Sequence, residues 1–170
     1  MHADTKETNF SPLLPFSLKG TSMEIRREYP IAPLVGTAAA VFNDTGEVLL
    51  VQRGKPPGVG QWGLPGGLVD VGERLVDGAA REVMEECSVA VEICDLVGVF
   101  EPIIRDDDGQ VRYHYVVVDY WARYLSGDVR AADDAADARW VAVDRLDEFE
   151  MYGESRAVVR RAYALWLAAG

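Results

Sequence analysis

Between Gly66 and Val89 the chain reads GGLVDVGERLVDGAAREVMEECSV, six carboxylates and four glycines gathered around Arg81. A stretch like this can form little except a turn followed by a helix. At 100° per residue, Leu75, Val76, Ala79, Ala80, Val83, Met84 and Cys87 share one half of the cylinder, which predicts a helix from about Leu75 that lies on a sheet. Glu82, Glu85 and Glu86 meet at one edge of that face. At spacings i, i+3 and i+4 their like charges repel by roughly a few tenths of a kcal/mol per pair. Such a cluster is either a solvated acidic surface or a site where a hard divalent cation supplies the missing positive charge. The preceding Trp62-Gly63-Leu64-Pro65-Gly66-Gly67 favours the second reading. It is too punctuated for helix and reads as a tight loop whose carbonyls can face the same ion.

The order Gly67, five residues, Glu73, seven residues, then Arg81-Glu82-Val83-Met84-Glu85-Glu86 resembles the signature of the Nudix hydrolases. The resemblance covers about residues 30–168. It implies that Glu82, Glu85 and Glu86, with the Gly66 carbonyl, bind Mg²⁺ or Mn²⁺. It also implies that Glu73 and Arg81 form an orienting pair that steadies the ligand helix. One position departs from the pattern, since Ser88 stands where the family has glycine. A left-handed helix cap there costs a non-glycine residue about 1–2 kcal/mol.

The rest of the chain suits one domain over 29–170, preceded by an arm over 1–28 in which Pro12-Leu13-Leu14-Pro15-Phe16 is apolar enough to dock. A net charge of −11 excludes nucleic acid as a bulk partner and leaves room for a small anionic nucleotide neutralised by metal. Cys87 and Cys94 lack paired or zinc-like spacing and read as buried thiols. No apolar run reaches the roughly 18 residues of a membrane span, so no membrane association and a cytoplasmic location are expected. Gly36–Phe42 and Glu47–Arg53 read as a hairpin through Asn43-Asp44-Thr45-Gly46. Val89–Val99 and Val111–Tyr124 read as further strands, with Asp106–Gly109 as the turn before the second. Ala131–Ala138 reads as an acidic loop before a strand at Arg139–Val143, and Glu154–Leu167 as a covering helix. Strands on both sides of one acidic helix, with a second helix at the end, suggest an α/β chain with a mixed sheet between helical layers, the α/β/α sandwich that the Nudix resemblance also implies.

Several side chains stay open to two readings. Trp62 is core or a base-stacking surface. Arg53 and Lys55 are phosphate contacts or an exposed basic loop, and His114 is a pocket wall or a strand-end residue. Arg105 and Arg112 join Arg53 and Lys55 as candidate substrate contacts. Glu101, Asp133, Asp134 or Asp137 can supply a further ligand or base. The chemistry such a site suggests is metal-assisted hydrolysis of a pyrophosphate bond, with Glu82 as general base. The stretch Leu96–Val116 looks like the bacterial ADP-ribose pyrophosphatase branch, with Pro102 as its specificity proline, and that branch admits a homodimer. A mutator-type nucleoside triphosphate pyrophosphohydrolase and a non-catalytic nucleotide-sensing module are the alternatives.

Overall fold

The period-two alternation of the first two strands sets the layers. In β1 (Leu34–Phe42), Ala39 and Val41 point one way and Ala40 and Phe42 the other. In β2 (Glu47–Arg53), Leu49 and Val51 join the first group and Val48 and Leu50 the second. All eight are buried, so the sheet has two dry faces and needs a helix on each. The first group packs against Ala79, Val83 and Cys87 of α1 (Leu75–Cys87), and the second against Val159 and Ala162 of α2 (Ser155–Ala169). This is the α/β/α sandwich with a mixed sheet.

The computed structural model describes residues 25–170; the apolar segment expected to dock, Pro12–Phe16, lies outside them. β1 and β2 pair at the hairpin, Phe42 opposite Val48, held by the Asn43 side chain, whose Oδ1 accepts from the Thr45 and Glu47 amides. Beyond it the two strands part. β3 (Trp62–Gly63) pairs β2, and β4 (Gly66–Leu68) pairs β1. The segment expected to be a plain loop therefore carries two short strands, because the parted edges offer free backbone groups that must be met.

On its other side β1 pairs in parallel with β7 (Val111–Ser126), from Leu34 opposite Tyr115 to Phe42 opposite Arg123. β7 also carries β5 (Ala90–Phe100) and β6 (Ile103–Arg105), both antiparallel. β8 (Ala135–Ala142) runs along β2. It begins inside the stretch expected to be an acidic loop, since β2 continues to Arg53 and its amides need partners. A 3-10 helix, Val143–Glu148, then leads toward α2.

Two burial expectations are corrected. Met84 is exposed, lying past the edge of the stripe that Ala79, Val83 and Cys87 bury. Cys94 is exposed as well, because the β5 register shifts between Ile93 and Asp95 and leaves it out of the ladder. Cys87 is buried and Trp62 is core, edge-on to Phe149 at 5.2 Å. Ser88 takes the left-handed conformation, φ 61°, and its amide caps Met84 O at 2.9 Å.

Candidate active site

The parting of β1 and β2 opens a cleft in the sheet, and α1 lays its carboxylates along one side of it. Arg81 organises them. Its Nε and Nη2 donate to the two Glu73 oxygens at 2.8 and 2.9 Å, and Nη2 also reaches Leu68 O at 3.1 Å. Nη1 donates to Glu82 at 2.8 Å and to Glu85 at 2.9 Å. All five guanidinium N–H groups are thus used, in a fork that only arginine can present. Glu73 is fixed from behind by the Asp70 amide at 3.0 Å. Hydrogen bonding from Arg81, with help from that amide, holds its carboxyl down at about 2. The expected Glu73–Arg81 pair is therefore present, and it steadies the turn ahead of α1 against the helix itself.

Glu86 turns the other way and accepts the Gly66 amide at 3.0 Å. Burial, followed by the nearness of Glu82 and Asp134, pushes its carboxyl up to about 7. Glu82 is also raised, because burial outweighs its ion pair with Arg81. Gly67 lies directly against it: a Cβ there would overlap the Glu82 carboxylate. The glycine leaves room for β4 to lie against α1.

The opposite rim comes from residues 130–135. The Arg130 amide bonds Cys87 O at 3.0 Å and the Ala132 amide bonds Glu86 O at 2.9 Å. These contacts answer two of the carbonyls at the end of α1 and bring Asp133 and Asp134 alongside its carboxylates. Asp134 forms an ion pair with Lys55. A small cavity of about 40 Å³ is lined by Arg53, Lys55, Gly66, Glu86 and Asp134. Among the described residues no three acidic, His or Cys side chains converge on one point. Instead Arg81 supplies the positive charge between Glu82 and Glu85. The donors are all oxygen, all on one helical turn or one cavity wall, and two of them already share a cation. That set fits a hard divalent ion.

A larger cavity of about 140 Å³ adjoins on the α2 side. Gly36, Ala38, Tyr115, Val117 and Asp119 of the sheet line it together with Phe100, Pro102 and Tyr152, and Arg53 lines both this cavity and the smaller one. The Arg53 guanidinium lies over the Tyr152 ring at 4.8 Å and donates through Nε to Pro57 O at 2.7 Å.

Of the sequence candidates, Glu73, Arg81, Glu82, Glu85, Glu86 and Gly66 come together, with Arg53 and Lys55 beside them. Arg105 and Arg112 line neither cavity. Arg105 bonds Gly109 O at 2.9 Å across its own hairpin, and Arg112 pairs with Glu28 at 3.1 Å. His114 sits opposite Ile103 and also lines neither cavity. Asp137 bonds Arg139 on β8 at 2.8 Å, which leaves Asp133 and Asp134 as the acidic residues of that stretch nearest the site. Sequence reasoning missed Asp119 and Tyr152. A single carboxylate within Val116-Val117-Val118-Asp119-Tyr120-Trp121 is the available signal for the first, since a buried polar residue is more informative than an exposed one.

A family model described as "NUDIX domain" matches residues 32–162. The chain is 29% identical over 114 residues to an ADP-ribose pyrophosphatase from Methanocaldococcus jannaschii, a match covering 67% of this chain and 64% of that protein. The chain thus spans under two thirds of that relative's length. The solved MutT Nudix hydrolase from Burkholderia pseudomallei has a TM-score of 0.66 and 32% identity, covering 76% of this chain and 98% of that one. The Nudix domain of Shewanella oneidensis NrtR, solved with ADP ribose, has a TM-score of 0.65 and 25% identity, covering 79% of this chain and 89% of that one.

Proposed function

Since this chain belongs to the Nudix family, we propose that it hydrolyses the pyrophosphate link of a nucleoside diphosphate joined to a second group, with ADP-ribose or a nucleoside diphosphate sugar as substrate. Nudix hydrolases generally use divalent metals, and here Glu82, Glu85 and Glu86, with Gly66, are the residues that would hold Mg²⁺ or Mn²⁺. When bound, such an ion supplies charge neutralisation at the pyrophosphate oxygens and lowers the pKa of an attacking water. The protein's own residues do the remainder. Glu82 takes the proton from that water as its oxygen forms the new bond to phosphorus and the bridging P–O bond breaks; AMP and a sugar phosphate leave. A positioned base contributes about 10²–10⁴-fold. Arg81 and Glu73 hold the helix in register, and Arg53 offers positive charge where the carboxylate cleft meets the larger cavity.

The observation that carries this reading is the junction of two unlike spaces: an acidic cleft built on α1 opens beside an aromatic-lined cavity, with Arg53 lining both. A phosphate chain attached to a ring has the same two-part chemistry. The similarity to an ADP-ribose pyrophosphatase and to a domain solved with ADP ribose supports the substrate class. The similarity to a MutT hydrolase favours a second reading, cleavage of nucleoside triphosphates to monophosphate and pyrophosphate. Chromatography of products after incubation with Mg²⁺ and each substrate class tests the choice. AMP with ribose phosphate from ADP-ribose is the expected result; pyrophosphate from triphosphates moves the assignment to the second reading, and no turnover of either overturns both in favour of a sensing module.

A further inference from the structure

Two cations line the cavities of this site, and they are held in different ways. Lys55 is already paired with Asp134. Arg53 lines both cavities, and among the described residues it makes no ion pair. Its Nε donates to Pro57 O at 2.7 Å, and both terminal nitrogens are left without a hydrogen-bond partner there. What fixes the guanidinium instead is the Tyr152 ring, whose centre lies 4.8 Å from its carbon. A guanidinium is planar and weakly hydrated, so it stacks on an aromatic face while keeping its in-plane donors free. Backbone bonds hold both members of the stack. The Arg53 amide donates to Gln61 O at 2.9 Å and the Tyr152 amide to Trp62 O at 2.7 Å, so the two residues hang from consecutive positions of one segment. Gly58 comes so near the ring that a Cβ there would overlap its Cδ2 and Cε2 atoms. The Tyr152 hydroxyl is enclosed and bonds nothing among the described residues, so the contact this residue makes at the site is through its ring.

We propose that Tyr152 is a positioning residue: its ring holds the Arg53 guanidinium at the junction of the two cavities, where the two terminal nitrogens bind a phosphate of the substrate. The inference rests on the nucleotide reading of this site and adds the residue that prepares its phosphate contact. A phosphate chain entering a cleft of glutamates meets like charge, and Arg53 is the lining cation whose donors remain to receive it. A planar fork suits a phosphate bidentately. Held in place before the ligand arrives, it loses less freedom on binding than a loose side chain would. Such a contact is made equally in the bound substrate and in the transition state, so its loss raises KM and leaves kcat unchanged.

The test is steady-state kinetics with Mg²⁺ and ADP-ribose, and with nucleoside triphosphates in parallel, for the wild type, Tyr152→Phe, Tyr152→Leu, Arg53→Gln and the Tyr152→Leu/Arg53→Gln double variant. Thermal unfolding of each sample accompanies it, because a purely structural loss lowers the folded fraction and kcat without moving KM. Tyr152→Phe keeps the ring and stays within about 2-fold of the wild-type KM; Tyr152→Leu raises KM about 2–30-fold with kcat unchanged. Arg53→Gln raises KM at least as far, and adding Tyr152→Leu to it changes nothing more, since the two residues act as one unit. If Tyr152→Leu does not fold, Tyr152→Met, unbranched and adaptable in packing, takes its place. A wild-type KM in Tyr152→Leu, a rise in Tyr152→Phe equal to that in the leucine variant, or additive effects in the double variant overturns the positioning role and leaves the nucleotide reading standing. A wild type that turns over neither ADP-ribose nor a triphosphate overturns that reading, and this inference with it.

Discussion

Replacing Asp119 with asparagine leaves the side-chain shape unchanged and removes a proton-binding site, so its effect on stability should depend on pH. The carboxyl is 5% exposed, and burial raises its pKa from 3.8 to about 7. For an acid with a raised folded pKa, the folded state keeps a proton that the unfolded chain has released. Below pH ~4 both states are protonated and there is no penalty; the penalty grows through the window from ~4 to ~7 and is complete above it. A shift of this size corresponds to on the order of 4 kcal/mol at full development, at about 1.4 kcal/mol per pH unit inside the window. Asparagine carries none of it. Urea unfolding of both proteins at pH 5, 6, 7 and 8 reads this directly. The variant should gain stability relative to the wild type at each step up to pH 7 and little beyond. A stability difference that stays flat from pH 5 to 8 would refute the burial-driven rise of the Asp119 carboxyl.

Glu82→Gln should lower kcat about 10²–10⁴-fold with an unchanged circular dichroism spectrum, since it removes the proposed base, which is also one of the carboxylates that would hold the metal, while keeping the side-chain volume; a loss under 10-fold assigns the base elsewhere. Arg81→Lys offers three donors to five acceptors and should cost about 10–100-fold in Mg²⁺ affinity or activity, read by metal titration of turnover; unchanged titration would show that the guanidinium fork does not position the ligand helix. Ser88→Gly should stabilise the protein. The left-handed cap costs serine about 1–2 kcal/mol, and the greater freedom of glycine in the unfolded chain takes back about 0.4–1 kcal/mol. A rise in Tm of about 1–4 °C is the expected net effect, and a fall in Tm would mean that Ser88 holds its place for another reason.

The parts legible in the sequence are those set by local rules. Hydrophobic period marks α1 from Leu75 to Cys87, where apolar residues repeat at 3.6, and two continuous apolar runs joined by Asn43-Asp44-Thr45-Gly46 mark the β1–β2 hairpin. The spacing of Glu73, Arg81, Glu82, Glu85 and Glu86 marks the acidic cluster, since one helix brings those residues together whatever else the chain does. The partners each residue chooses depend on long-range packing, and there the sequence is silent. Arg81, rather than an ion alone, answers Glu82 and Glu85, because Leu68 and Glu73 hold its guanidinium between them. Arg105 and Arg112 look equivalent to Arg53 as free cations, yet the β6–β7 hairpin and Glu28 take them up. Asp134 and Asp137 are three residues apart in one acidic run; Asp134 faces Glu86, whereas Asp137 already lies on β8 and bonds Arg139. Asp119 is hidden because strand periodicity gives the face of a residue and not the cavity that face looks into.

The central claim is that the carboxylates of α1 support divalent-metal hydrolysis of a pyrophosphate bond. A phosphorus NMR time course of ADP-ribose with the protein tests it most directly, once with Mg²⁺ and once with the metal removed by chelation. The account predicts that the two diphosphate signals give way to two phosphate monoester signals with Mg²⁺ and persist without it. Diphosphate signals that persist in both samples, or decay equally in both, would contradict it.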